Sequence, residues 1–143
     1  MSNTENEKIK ILHVIGNLQG GGAEKQLQIL VNNSNLDNYK IAILFLYKGE
    51  EQYITDNRIE LIQIHRGPKW NIPLLWYRVF KAVKAYKPAI LHLWIPEIIT
   101  IPAAFAGKLS DAFVISSVRG SMRHVNSLKR RIRHLCTYIE YII

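Results

Sequence analysis

The sequence predicts an α/β fold, a Rossmann-like three-layer αβα sandwich built on a mainly parallel sheet. The first observation is that short apolar runs rich in Ile, Leu and Val alternate with stretches whose apolar residues recur at helical spacing. The second is a glycine-rich turn between the first run and the first helical stretch. The third is composition: 48% of the 143 residues are hydrophobic and 21% are charged, which suits one domain with a sizeable core.

Five short apolar runs are predicted to be strands because each is rich in β-forming residues and bounded by turn-forming residues. They are Lys8–Ile15, Tyr39–Tyr47, Ile59–Ile64, Ala89–Trp94 and Ala112–Ser117. Residues 1–7 are polar and are predicted to form a flexible N-terminus, so that the domain occupies residues 8–143.

Four stretches are predicted to be helices because their apolar residues recur every three or four positions. The first follows the glycine-rich turn, and its apolar face carries Ala23, Leu27, Leu30 and Val31. The three that follow are Leu74–Tyr86, Glu97–Leu109 and Ser127–Ile143. This alternation predicts parallel strands joined by right-handed crossovers, with helices on both faces of the sheet.

Four loops lie at the edge of the predicted sheet where ligands bind in this class of fold, beyond the carboxyl ends of the strands. They are Gly16–Gly22, Arg66–Trp70, Trp94–Glu97 and Ser117–Arg123. A binding site is therefore expected where these loops meet.

The loop after the first strand places three glycines, Gly20, Gly21 and Gly22, directly before a helix. Glycines leave backbone N–H groups open to a phosphate or a sugar, and the helix N-terminus adds partial positive charge. The spacing matches neither G-x-G-x-x-G nor a Walker loop, which disfavours a nicotinamide dinucleotide or a P-loop nucleotide. The alternative is a tight turn without a ligand, in which Glu24 only stabilises the helix N-terminus.

An aromatic residue near the same edge is a second candidate for ligand binding. His92 and Trp94 occupy alternate positions of the fourth predicted strand and therefore share one face. Trp94 lies closer to the carboxyl end, where its indole is a candidate for stacking on a sugar or a lipid. The alternative is that both side chains belong to the core.

Composition disfavours several kinds of site. The single cysteine, Cys136, rules out a disulfide framework and a cysteine-based zinc site. The five histidines show no metal-ligand spacing, so no metal is expected, and no Ser/His/Asp set indicates a hydrolase. The polar first eight residues indicate no signal peptide, and no long apolar stretch lacks charges or prolines, which disfavours a membrane-spanning helix. We expect a cytoplasmic protein.

All of the net charge of +8 comes from the second half of the chain. Residues 1–70 hold eight basic and eight acidic residues, whereas residues 71–143 hold eleven and three. Such asymmetry suggests an anionic partner, namely a phosphate-bearing ligand, a nucleic acid or an anionic membrane surface, the alternative being ordinary helices with solvated cations. The candidate membrane contacts are Arg78, Lys81, Lys84, Lys129, Arg130 and Arg131. No zinc finger, RNP motif or helix-turn-helix is evident, so no nucleic-acid partner is expected.

Three stretches together indicate a family. They are ILHVIGNLQGGGAEKQLQIL, KPAILHLWIP and FVISSVRGS, and the resemblance runs from about Lys8 to Ser121. In order, they resemble the opening, the fourth strand and the fifth strand with its following loop in GT-B fold glycosyltransferases, particularly the retaining group called family four. The resemblance implies the N-terminal, acceptor-binding half. The E-x-x-x-x-x-x-x-E pair of the family's donor half is absent, which indicates a truncated chain.

The resemblance also implies roles for matching residues. Gly20, Gly21 and Gly22 match the glycine loop that approaches the donor diphosphate and the acceptor, and Glu24 matches the acidic residue that starts the next helix. Arg119 lies in the loop that carries a histidine near the reacting sugar in many members. An arginine there implies neutralisation of a phosphate, with a solvated surface side chain as the alternative. No catalytic residue is assigned.

The predicted function is glycosyl transfer. The whole protein is expected to move a hexose from a nucleotide-sugar donor to a glycan or lipid-linked acceptor with retention, in polysaccharide biosynthesis, without a cofactor. It is expected in the cytoplasm or at the inner face of the membrane. The chain alone is expected to be inactive and to self-associate through exposed sheet edges. The alternatives are a stand-alone Rossmann-like module that binds a phosphorylated or anionic ligand, and a peripheral membrane module without activity.

Overall fold

The protein has the predicted α/β architecture, seen in a computed structural model that describes residues 7–19, 21–47, 54, 56–68 and 71–117. Among the described residues the sheet has five strands: β1 (Ile9–Val14), β2 (Tyr39–Phe45), β3 (Glu60–Gln63), β4 (Ile90–Leu93) and β5 (Phe113–Ser116). All four strand pairings are parallel, in the order β3-β2-β1-β4-β5. The order reverses direction at β1, which makes the crevice between β1 and β4 the switch point where ligands bind in such sheets.

In the described part of the chain, three helices cover the two faces of this sheet: α1 (Gly22–Asn32), α2 (Ile72–Tyr86) and α3 (Thr100–Lys108). Helix α1 buries Leu27 and Val31 in one core cluster, against alternate residues of β2 and the start of the loop after β1. Helices α2 and α3 bury their apolar residues in a second cluster on the other face. The crossovers run outward from β1 in opposite directions, and right-handed connections then place their helices on opposite faces.

The strand register places aligned residues of neighbouring strands on the same face. His13 of β1 aligns with Ile43 of β2 and with His92 of β4, and His92 aligns with Ile115 of β5. Since aligned residues of parallel strands share a face, the two histidines lie together in the layer covered by α1.

The predicted boundaries differ most at the start of the third helix. Helix α3 starts at Thr100, not at the predicted Glu97, because the buried Thr100 hydroxyl closes a turn there. It donates to the Glu97 carbonyl (2.7 Å) and accepts from the Glu97 N–H (3.1 Å). Helix α2 begins two residues early, with Asn71 as its N-cap accepting from the Leu74 N–H.

Some predictions concern residues whose structure is not described. The predicted helix Ser127–Ile143 lies outside the described residues, as does most of the predicted flexible N-terminus. Within the described part of the chain, no helix has the length and apolar character needed to cross a bilayer.

Candidate functional site

The first half of the glycine loop is bonded to the end of β2. The Gly16 carbonyl accepts from the N–H groups of Leu46 (3.1 Å) and Tyr47 (3.2 Å), and the Leu18 N–H donates to the Tyr47 carbonyl (3.2 Å). The Leu18 side chain is buried in the layer under α1. The loop therefore leaves β1 along a path that is fixed by the segment directly after β2.

Glu97 packs against this loop from the turn after β4. A Cβ atom on Gly16 would lie only 1.7 Å from Oε2 of Glu97, so the carboxylate occupies the space that any larger residue at Gly16 would need. The loops after β1 and β4 thus meet at the switch point of the sheet. Glu97 was not among the residues predicted for the site, although its place in a loop after a strand was the signal that could have found it.

The second half of the loop begins α1. Gly21 is the N-cap in an extended conformation (φ −76°, ψ 173°), and its carbonyl accepts from the Lys25 N–H (2.9 Å). The buried Glu24 side chain folds back over it, since a Cβ on Gly21 would lie 2.2 Å from Oε2 of Glu24. A carboxylate at this end of a helix is favoured by the helix dipole.

Gly22 presents a different environment. It is exposed, and a Cβ atom built on it would meet no side chain or other segment of the described residues within 4 Å. The open side of the glycine loop is therefore at Gly22, where a ligand can approach the backbone. Gly20 lies outside the described residues.

A basic side chain also lies beside the glycine loop. Arg66, in the loop after β3, donates from Nη1 to the Tyr47 hydroxyl (2.6 Å), and Tyr47 pairs with Asn17 of the glycine loop. Arg66 was not among the predicted site residues, although its loop was. The edge thus combines two carboxylates, which accept hydrogen bonds from hydroxyl groups, with a guanidinium suited to a phosphate.

Three aromatic rings lie beneath the loop, between α1 and the sheet. The Trp94 Nε1–H donates to Nδ1 of His13 (3.1 Å), and the His92 ring lies 4.7 Å from the Trp94 ring and 5.3 Å from the His13 ring. Nε2 of His92 hydrogen-bonds to Oγ of Ser117 (2.8 Å). Because an indole N–H can only donate, Nδ1 of His13 accepts and its ring proton is on Nε2.

His13 is held in its neutral form. Burial, and then the neighbouring His92, lower the pKa of His13 from its usual 6.5 to about 3. Protonation would also remove the lone pair that accepts from Trp94. Gln28, buried one helical turn after Glu24 in the same layer, has an Nε2 with no hydrogen-bond partner among the described residues.

The structure brings some of the predicted site residues together. Gly21, Gly22 and Glu24 form the glycine loop and the start of α1 at the carboxyl edge. Trp94 lies directly beneath and is 1% exposed, packed in the core cluster under α1. Its placement is that of the core alternative, and stacking on a ligand would require the ring to move. Arg119 lies outside the described residues.

The structure describes three of the six predicted membrane contacts. Lys81 and Lys84 are exposed on α2. Arg78 is half-buried and donates from Nη1 to the His65 carbonyl (2.7 Å), so it secures the loop after β3. Lys129, Arg130 and Arg131 lie outside the described residues. The described residues contain no cluster of three or more His, Cys, Asp or Glu side chains that would hold a metal ion.

Comparison with known proteins shows the fold. No protein-family model matches this chain, and no curated protein matches it. A solved structure from Listeria monocytogenes, described as a UDP-N-acetylglucosamine 2-epimerase, aligns with a TM-score of 0.59 and 13% identity over 92% of this chain and 38% of that one. A second UDP-N-acetylglucosamine 2-epimerase aligns with a TM-score of 0.61 and 12% identity over 96% of this chain and 40% of its own.

The two alignments support a coarse assignment. The chain spans about two fifths of the length of both proteins. At such low identity the likeness shows a shared fold alone, a parallel sheet flanked by helices. It does not distinguish GT-B glycosyltransferases of family four from other proteins with this fold, so that resemblance stays a prediction.

Proposed function

We propose that this chain is the acceptor-side half of a glycosyltransferase that moves a hexose from a nucleotide-sugar to a glycan or lipid-linked acceptor with retention. The observation that carries the proposal is the glycine loop at the switch point, which is open at Gly22 and flanked by the carboxylates of Glu24 and Glu97. The shared fold of two proteins named for a nucleotide-sugar adds support for that substrate class.

The charges at the loop favour the acceptor over the donor diphosphate. Glu24 and Glu97 would repel a diphosphate placed directly between them, whereas their oxygens accept hydrogen bonds from sugar hydroxyls. Arg66 lies in the neighbouring loop after β3, and its guanidinium is suited to hold a donor phosphate at the edge of the site. In this proposal the chain positions the acceptor hydroxyl and the other half holds most of the donor, so catalysis depends on orientation and electrostatics.

The experiment replaces Gly22 by Val in the complete protein that contains this chain. Because no other segment of the described residues lies near a Cβ at Gly22, the variant should keep the wild-type melting temperature. A branched side chain would instead meet the substrate, and we expect kcat/KM for transfer to fall at least about tenfold. The matched control is Lys25→Ala, an exposed position on α1 that points away from the buried layer. Unchanged transfer by a folded Gly22→Val variant would mean that the loop is only a tight turn and binds no substrate.

A second candidate function is epimerisation of a nucleotide-sugar. The observation that favours it is that both aligned structures carry the name of a UDP-N-acetylglucosamine 2-epimerase. The two functions differ in their products, because an epimerase needs no acceptor and releases the C2 epimer. Incubation of the complete protein with UDP-N-acetylglucosamine, with and without acceptor glycans, separates them. Absence of turnover under every condition would favour the stand-alone binding module.

A further inference from the structure

A pocket lies at the amino edge of the sheet, at the opposite end of the strands from the glycine loop. Strands β1, β2 and β3 start at this edge, and α2 ends beside it. The volume of this amino-edge pocket is about 410 Å³, which is the size of a small-molecule site. Its lining includes the charged side chains of Lys10, Lys40 and Glu60, the phenol of Tyr86 and the apolar side chains of Ile62 and Ala82.

The three charged side chains come from the first residues of three neighbouring strands. Lys10 of β1 aligns with Lys40 of β2, so two ammonium groups lie side by side on the face that α2 covers. Glu60 of β3 aligns with Ala42, two residues beyond Lys40 on the same face. Strand spacing then separates the Cα atoms of Glu60 and Lys40 by about 8 Å. The pocket therefore has two positive charges on one side and one negative charge on the other.

These charges are not used in pairing within the described part of the chain. There, the side chains of Lys10, Lys40 and Glu60 form no ion pair and no hydrogen bond. Like charges at aligned positions of neighbouring strands are destabilising. The stability of the fold therefore does not account for the lysine pair, whereas a bound anion would offset its repulsion.

The Tyr86 hydroxyl adds a hydrogen-bond acceptor of fixed orientation. It donates its proton to the backbone carbonyl of Lys40 (2.9 Å), which leaves lone pairs of its oxygen for a ligand. Burial, and then the charge of Glu60, raise the pKa of Tyr86 above its usual value, so the phenol keeps its proton at neutral pH. Tyr86 and Glu60 thus both accept from hydroxyl groups, while Ile62 and Ala82 provide an apolar surface for C–H groups.

We propose that the amino-edge pocket binds a small phosphorylated polyol of the sugar-phosphate class. The two ammonium groups match a phosphate monoester, whose charge at neutral pH is about −1.5 to −2, better than they match the single charge of a carboxylate. Hydroxyl groups at the other end of the ligand donate to Glu60 and Tyr86. The proposal goes beyond glycosyl transfer and does not depend on it, since the glycine loop lies at the other edge of the sheet.

The test measures binding of glucose 6-phosphate to the complete protein that contains this chain, by isothermal titration calorimetry at low ionic strength. We expect saturable binding that weakens as salt is added. Inorganic phosphate and glucose should each bind at least about tenfold more weakly, because each occupies only one side of the pocket. No binding of glucose 6-phosphate, or equally tight binding of either smaller molecule, would overturn the proposal.

Single substitutions locate the phosphate. Lys10→Gln and Lys40→Gln should each raise the Kd of glucose 6-phosphate at least about fivefold, because each removes one charge beside the phosphate. The matched control is Lys108→Gln, which removes the same charge from the exposed last turn of α3, outside the pocket lining, and should leave the Kd unchanged. Gly22→Val should also bind like the wild type, so a failure of the glycine loop in transfer remains distinguishable from a failure of this site.

Two outcomes of these substitutions would overturn the assignment. One is an equal rise of the Kd in Lys108→Gln or Gly22→Val, which would place the ligand elsewhere. The other concerns folding: without ligand, Lys40→Gln should keep or raise the melting temperature, because the repulsion between aligned ammonium groups is removed. A lower melting temperature with an unchanged Kd would assign the lysine to stability alone.

A substitution at Glu60 tests the hydroxyl side of the pocket by the sign of its effects. Glu60→Ala should weaken binding of glucose 6-phosphate severalfold, because an acceptor for its hydroxyl groups is lost. The same substitution should tighten binding of inorganic phosphate, because a nearby negative charge is gone. A change of the same sign for both ligands would contradict the placement of the hydroxyl groups at Glu60.

Discussion

The two layers of the sandwich differ in what they bury. The layer under α1 contains His13, Glu24 and Gln28, and its polar groups lie toward the carboxyl edge. The cluster under α2 and α3 consists of Leu, Val, Ile and Ala side chains, and the buried hydroxyl of Thr100 on α3 is hydrogen-bonded to the Glu97 backbone. Buried polar groups cost stability unless they are hydrogen-bonded. Both layers bury an apolar cluster that stabilises the fold, and the difference teaches that the layer under α1 also accommodates the candidate site.

The largest effect should come from breaking the apolar layer. Leu91 is fully buried on β4 and contacts Gly107 of α3, where a Cβ would lie 2.5 Å from Cδ2 of Leu91. Leu91→Ala should lower the free energy of unfolding by about 2–5 kcal/mol, through lost burial and a cavity. Urea denaturation measures this change.

The same contact allows a sharper test of close packing. Gly107→Ala alone should cost about 1–3 kcal/mol because the added methyl group overpacks the interface between α3 and β4. In the Leu91→Ala background that cost should shrink, since the space is then free. Additive effects of the two substitutions would contradict the direct contact between helix and strand.

A smaller effect should appear as a pH dependence of the unfolding free energy, caused by His13 in the layer under α1. His13 has a pKa of about 3 when folded, against an unfolded value near 6.5. Between those values the unfolded chain binds a proton that the folded chain does not, so stability is lost as pH falls below about 6.5. From pH 7 to pH 5 this histidine should cost about 2 kcal/mol of unfolding free energy.

Two variants assign that pH dependence to one side chain. His13→Asn should flatten the stability profile between pH 7 and pH 5, because the buried titrating group is gone. Ile29→Ser, an exposed substitution on α1 that leaves His13 in place, should keep the wild-type profile. A profile that stays steep in His13→Asn would show that other groups cause it.

The smallest free-energy change is expected at the meeting of the two loops, where it should affect activity rather than folding. Gly16→Ala places a methyl group where Oε2 of Glu97 lies, and the carboxylate at the end of that flexible side chain must move. Transfer by the complete protein should fall about tenfold, which corresponds to about 1.4 kcal/mol. The melting temperature should change little. Full activity in Gly16→Ala would show that transfer does not depend on the position of the Glu97 carboxylate.

The fold could be predicted because its determinants are local. Apolar runs and helical stripes mark the strands and helices, and chain order with right-handed crossovers sets the topology. The glycine loop and Glu24 were found for the same reason, since they are adjacent in sequence. Whether they bind a substrate stays a prediction.

The rest of the site could not be predicted because it depends on contacts between distant segments. The hydrogen bond from Trp94 to His13 joins residues 81 positions apart. It forms only because β1 and β4 pair in the observed parallel register. The contact of Glu97 with Gly16 depends on the same register and on the turn that Thr100 closes. The amino-edge pocket depends on the register of β1, β2 and β3, which brings its three charged side chains to one face of the sheet.

The most direct measurement of the central claim is the structure of the reaction product. The complete protein is incubated with nucleotide-sugars and an acceptor glycan, and the product is examined by NMR. The account predicts a new glycosidic bond whose anomeric configuration matches that of the donor, and its loss in Gly22→Val but not in Lys25→Ala. Formation of a free C2 epimer without any glycosidic product would contradict the account and assign the fold to epimerisation instead.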